Sequence, residues 1–272
     1  MIREIIRNDI TSDICHLGLE LNMHHKFCSY STHTENQSAD IKLSLPANKK
    51  ITIYWGDGTS TVVTGAVTTT IYSHTYTDVK TYNLTVSGDY NDIMHLYFIG
   101  DGSYGGDIKY FPNNLLRVYC WEDNTFSGNV INFSRNLQRC GITGSTSITG
   151  IWNDVPEPIE SFYLTGNNTL SGDIGENGTK LTALSIKGYN TISDYTSKTW
   201  TTNISVFKFI PVSPGGLSSA EIDQLLIDLD NDLDWSGGGT ITLTGTNAPR
   251  TSASDDAVSN IEAEGGTVIC NT

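Results

Sequence analysis

Positive charge is scarce in this sequence. Sixteen lysines and arginines stand against 30 aspartates and glutamates, a formal net charge of −14. Affinity for a phosphate backbone comes mainly from Lys and Arg, so no nucleic-acid partner is expected, nor insertion into a membrane. Long apolar runs are missing too. The first 22 residues carry Arg3, Glu4, Arg7, Asp9 and Asp13, which interrupt any stretch that could serve as a signal peptide or an anchor. The five cysteines, Cys15, Cys28, Cys120, Cys140 and Cys270, contain no C-x-x-C pair of the zinc or redox kind. They read as reduced packing residues, with a Cys120–Cys140 disulfide as the alternative. No nucleophile elbow, zinc-protease motif, phosphate loop or dinucleotide fingerprint occurs. His24 and His25 are the only adjacent histidines and lack a third and fourth ligand, so neither metal nor cofactor is expected.

What is abundant points to β-structure. There are 26 glycines, 13 tyrosines against 8 phenylalanines, and only 17% charged residues. A chain of 272 residues has room for two modest units or one elongated array. Residues 1–22 read as a leader or docking arm, with Ile2, Ile5, Ile6 and Ile10 as its apolar positions. From residue 23 to 90, alternation predicts half-buried strands: Ile51, Ile53 and Trp55 against Thr52 and Tyr54, then Tyr82, Leu84 and Val86 against Asn83 and Thr85.

Within that region, Trp55-Gly56-Asp57-Gly58-Thr59, Ser73-His74-Thr75-Tyr76 and Lys80 to Val86 together resemble the polycystic-kidney-disease (PKD) domain. The resemblance implies a small immunoglobulin-like β-sandwich. Val79-Lys80-Thr81 stands where that family usually has a glycine before its last strand. Asp57 can bond backbone amides across its turn; calcium ligation is the sharper alternative, but a lone carboxylate supplies too few oxygens.

Residues 91–214 carry a repeat. Segments starting at Ile93, Leu115, Leu137, Ile159 and Leu181 align without gaps at a spacing of 22, and a sixth begins one residue late at Ile204. Positions one, four, six and twelve are apolar throughout. Position four, for example, is Leu96, Val118, Cys140, Phe162 and Leu184. Position fourteen is glycine in four segments, and position ten holds Asn124, Asn168 and Asn190 as a partial asparagine ladder. The period and the L-x-x-L-x-L core resemble leucine-rich repeats of the bacterial-surface type. The expected fold is therefore mainly β: a sandwich, then a solenoid, then a small α/β cap over residues 215–272. In the cap, Ser218 and Glu221 form a capping box, strands lie at Thr240 to Thr244 and Thr267 to Cys270, and a second helix runs from Ser254 to Ala263.

If positions four and six point inward, positions three, five and seven face solvent. His95, Tyr97, Arg117, Tyr119, Trp121, Arg139 and Tyr163 then share one face, and Tyr, Trp and Arg are the residue types enriched at recognition hot spots. This is the candidate binding surface. Asp107, Asp123 and Asp173 lie on repeat loops where a glycosidase pair could form, which keeps a polysaccharide-cleaving enzyme as one alternative.

A PKD-like module followed by such repeats looks like surface proteins of gut and oral bacteria, and like virion proteins of their phages, crAss-like phages among them. The expectation is a non-enzymatic virion attachment protein: a head fibre, capsid decoration or tail component. Its leader would dock onto other virion subunits and its repeats would meet a host-surface glycan or protein. A homotrimer is among the assemblies this allows. The alternative location is the bacterial surface, where the chain would act as an adhesin.

Overall fold

The computed structural model describes residues 24–65, 67–176 and 180–272. The expected leader, with Cys15, lies outside them.

Six strands come first: β1 (His25–Ser31), β2 (Gln37–Ser44), β3 (Lys50–Tyr54), β4 (Ser60–Thr64), β5 (Thr70–Tyr76) and β6 (Thr81–Gly88). The period-two pattern does its work here, burying Ile51, Ile53, Tyr82, Leu84 and Val86. Strands β4, β3, β6 and β1 pair antiparallel in one layer, and β5 pairs with β2 in a second. Three distant segments converge at the turn after β3. Asp57 accepts from the Thr59 amide (2.9 Å) and hydroxyl (2.6 Å), and its other oxygen lies 2.6 Å from His74 Nε2. The His74 ring stacks on Trp55 at 5.1 Å. Tyr76 donates its hydroxyl to the Trp55 carbonyl (2.7 Å) and stacks on Tyr82 at 3.8 Å.

The repeats build a β-solenoid of about five turns. Its strands are β7 (His95–Gly100), β8 (Ser103–Asp107), β9 (Arg117–Asn129), β10 (Arg139–Ile151), β11 (Ser161–Asn167), β12 (Thr169–Ser171), β13 (Ala183–Tyr189) and β14 (Val206–Val212). A full coil runs along one layer, turns a corner, returns along the other layer, and closes through a single 3-10 turn such as Val130–Asn132. Successive coils are parallel and in register: β7, β9, β10, β11, β13 and β14 in one layer, and β8, the second halves of β9 and β10, and β12 in the other. Backbone bonds repeat at the same interval, as in Leu116 N to Met94 O (2.8 Å), Gln138 N to Leu116 O (2.8 Å) and Glu160 N to Gln138 O (2.7 Å).

In-register stacking turns the repeat positions into buried columns. Positions one, four, six and twelve are all buried, as the pattern predicts. Two more columns escaped the sequence reading: Ile108, Val130, Trp152 and Ile174 at position sixteen, and Phe111, Phe133 and Val155 at nineteen. Position ten is polar yet buried, because it satisfies the corner backbone. Asn124 accepts from the Tyr104 amide (3.1 Å) and donates to the Trp121 carbonyl (2.7 Å); Asn168 accepts from the Ile148 amide (2.8 Å) and from the hydroxyl of Thr146 (3.0 Å). Gly128 and Gly150 stand at φ +127° and +126°, and a Cβ at either would meet the preceding coil at 2.6–2.7 Å.

The solenoid is continuous with the first six strands. β7 pairs antiparallel with β2, and β8 pairs antiparallel with β1, so both layers run on without a break. Their cores join through Tyr30–Tyr104 (4.8 Å), Phe98–Tyr104 (4.9 Å) and Phe98–Phe126 (5.2 Å). At the other end β15 (Gly239–Leu243) and β16 (Gly266–Cys270) extend the parallel sheet, with helices α1 (Ser219–Asp232) and α2 (Asp255–Ala263) as the crossovers. Ser218 and Glu221 close the capping box of α1, which buries Ile222, Leu225, Leu226 and Leu229. These helices cover the inner side of the sheet: Tyr195 donates to Asp228 on α1 (2.7 Å), the Trp200 amide to Asp232 (2.8 Å), and the Trp200 ring meets Phe207 at 5.7 Å. Asn247 repeats the position-ten role, accepting from Leu217 N and donating to the carbonyls of Phe209 and Thr244.

Two measurements check this account. Replacing Asn124 with Ala leaves the buried Tyr104 amide without an acceptor and should lower stability by about 2 kcal/mol; an unshifted denaturant midpoint would refute the role given to position ten. Burial pushes the Asp57 carboxyl up, but bonds from Thr59 and His74 outweigh it and hold the group at about 2, below its usual 3.8. The stabilisation is therefore complete above pH ~4 and lost as pH falls toward 2. After solvent screening it is worth about 1 kcal/mol, and Asp57→Asn should flatten the wild-type decline in stability across that window.

Candidate functional site

The outward side of the parallel sheet is set by the same register that fills the core. Strands lie about 4.8 Å apart, so side chains at one repeat position become lateral neighbours. His95, Arg117, Arg139 and Ser161 are paired across β7, β9, β10 and β11 as one row; Tyr97, Tyr119, Gly141 and Tyr163 form the next. All seven residues singled out from the sequence are thereby brought onto one patch.

The aromatics make a connected strip. Tyr97 stacks on Tyr119 with centroids 5.2 Å apart and planes 21° from parallel, Tyr119 on Trp121 at 5.5 Å and 21°, and Trp121 meets Tyr163 edge-on at 6.3 Å. Gly141 is what lets the strip cross β10. A Cβ there would lie 2.7 Å from Tyr119 Cδ1 and 3.0 Å from Trp121 Cη2, so the missing side chain leaves the room into which the indole leans. Trp121 is 47% exposed and Ile99, at the edge of the strip, 42%, while Tyr97, Tyr119 and Tyr163 are half-buried. Beyond β11 the same positions turn polar, with Ser185 and Lys208 in the row of the tyrosines.

Cations border the strip. Arg139 reaches Glu160 at 3.4 Å. Arg117 has no ion-pair partner among the described residues, and its Nε is buried without a hydrogen bond. Burial, reinforced by the Arg117 charge, holds the His95 ring below the usual histidine pKa, so it is neutral at pH 7. Burial raises the Tyr119 hydroxyl, although Arg139 and Arg117 pull the other way. Lys42, contributed by β2, lies 5.5 Å from the Tyr97 centroid. It was not foreseen, because an antiparallel strand from before the repeats supplies it. Gly141 was readable in the sequence as an interruption of the tyrosine column, but its consequence for Trp121 was not.

The remaining candidates sit elsewhere. Asp107 caps a 3-10 turn, accepting from the Lys109 amide (3.0 Å) and pairing with its ammonium (2.9 Å); burial raises its carboxyl, but these Lys109 bonds keep it below the usual value. Asp173 is buried and accepts from the amides of Gly175 (2.7 Å) and Thr196 (2.8 Å), holding a turn. Asp123 is exposed. His25 stacks on Tyr90 at 5.2 Å and His24 packs near Tyr54. Cys28, Cys120 and Cys140 are buried free thiols, raised far above the ordinary cysteine range by burial, and Cys270 is a partly buried one.

The role of Gly141 is checkable. Gly141→Val should push Trp121 off the sheet, raising its accessibility to acrylamide quenching relative to a Trp121→Phe control; quenching identical to the parent would show that the indole does not depend on this gap. Comparisons with protein-family models, curated proteins and solved structures found no match.

Proposed function

We propose that the chain is a non-enzymatic attachment module, carried on a phage particle, that binds a host-surface glycan through the strip formed by Tyr97, Tyr119, Trp121 and Tyr163. The observation that carries this reading is the continuity of the strip across four strands on a face left open by the described residues. A pyranose offers a flat C–H face that packs on aromatic rings, and its hydroxyls need donors and acceptors at the rim. Arg117, Arg139 and Tyr hydroxyls supply these. Rigid aromatics on strands lose little conformational freedom on binding, which favours affinity from a shallow surface.

The non-enzymatic part is supported by the carboxylates: Asp107 and Asp173 are committed to backbone turns. The module assignment is supported at the N-terminus. There the W-G-D-G turn, the H-x-Y element and Tyr82 meet as a PKD-like sandwich would bring them together, with residues 91–214 as leucine-rich-type repeats. The particle setting rests on the resemblance, read from the sequence, of a PKD-like module followed by such repeats to virion proteins of phages. Mass spectrometry of purified particles beside fractionated uninfected cells tests it, and recovery in the cell envelope would replace it with an adhesin.

For the face itself, Tyr119→Ala combined with Trp121→Ala should reduce binding to a glycan array or to host cells by about tenfold or more, with thermal unfolding nearly unchanged. Undiminished binding by the double variant overturns the reading.

A further inference from the structure

Resting on the glycan reading of this face, we infer that its ligand is an acidic sugar, a pyranose bearing a carboxylate that pairs with Arg117 while the ring lies on Tyr119 and Trp121.

Register places His95, Arg117 and Arg139 side by side on adjacent strands, roughly 4.8 Å apart. Like charges opposite one another across strands are destabilising. The chain has 30 carboxylate side chains to 16 cations, so acidic partners are plentiful. Arg139 has one, Glu160 at 3.4 Å on the side away from β9. Arg117, in the middle of the row, has none among the described residues, and its inaccessible Nε makes no hydrogen bond. The Nε–H is closed to an outside ligand, so pairing with a bound anion falls to the two terminal Nη groups.

The chemistry of that anion follows from the geometry. A planar guanidinium presents paired N–H donors that match a carboxylate two-to-two. Arg117 lies two residues before Tyr119 on the same side of β9, and both arginine charges act on the Tyr119 hydroxyl, so the guanidinium borders the stacked rings. In a uronic or sialic acid the carboxylate sits on the ring itself, one bond from the carbons that would stack. One bound residue can therefore reach the cation and the aromatic surface together. Lys42, over the far end at Tyr97, extends the same preference to a second acidic residue of a polymer.

The test uses polygalacturonate and polysialic acid, each beside its carboxyl-reduced counterpart, in equilibrium binding to the full chain. The acidic forms are expected to bind about tenfold or more tightly than the reduced forms, with affinity falling as salt rises. Arg117→Gln should erase that preference, weakening the acidic forms far more than the reduced ones. Arg117→Lys keeps the charge and the strand but lacks the fork, so a loss shared by both variants, with unchanged thermal unfolding, assigns the effect to the paired bonds. Equal binding of acidic and reduced forms, or an Arg117→Gln variant that keeps the preference, overturns the acidic-sugar inference. If that happens while Tyr119→Ala with Trp121→Ala still abolishes binding, the glycan reading of the face stands; acidic polymers bound equally well by that double variant would remove both.

Discussion

Everything in this molecule depends on one constraint: each coil hydrogen-bonds to the one before it with the same side chains opposite each other. The bonds from Leu116 to Met94, Gln138 to Leu116 and Glu160 to Gln138 are steps of that ladder. A repeat of constant length in a parallel sheet cannot slip by one residue without sending every core side chain to solvent. The inward columns and the outward rows are therefore two results of one register, and any side chain on the face is positioned by the packing beneath it.

The two buried polar features of the coils serve that ladder. Corners between strands leave amides that no neighbouring strand can satisfy, and a buried amide needs an acceptor. Asn124 and Asn168 supply it. The apolar columns could be rebuilt from many residues of similar volume, as their mixture of Leu, Val, Cys, Phe and Ile illustrates. The corner amides have far fewer solutions, which is why asparagine recurs at position ten while the apolar columns vary.

The ends of a solenoid expose unpaired strand edges and an open core. Here the two ends are covered by different means, and β16 stands as the terminal strand of the sheet at the second. At the start, the antiparallel strands β2 and β1 take the edges of β7 and β8, and Tyr30 and Tyr104 join the two cores. Toward the finish the return strands give way to α1 and α2, whose apolar faces cover the inner side of β14 to β16. Both solutions leave the outer face of the parallel sheet free of the chain's own described elements. No described element therefore packs over the aromatic strip, and its stiffness comes from the sheet.

Period and alternation were legible directly: the 22-residue spacing announced a solenoid, alternation within each repeat named His95, Tyr97, Arg117, Tyr119, Trp121, Arg139 and Tyr163 as one face, and the capping box located α1. Those features are local, and local patterns report which way a side chain points. Columns sixteen and nineteen were missed because they lie on and just after the 3-10 turn, where neither a period of two nor of 3.6 applies. Contacts between elements needed the tertiary structure. Lys42 joins the face only because β2 docks antiparallel beside β7, and Trp121 reaches Tyr163 only because Gly141 sits between them on the intervening strand. That no described carboxylate pairs with Arg117 is likewise invisible in a chain rich in aspartate and glutamate, since which charges meet is decided by distance in the folded sheet and not by composition.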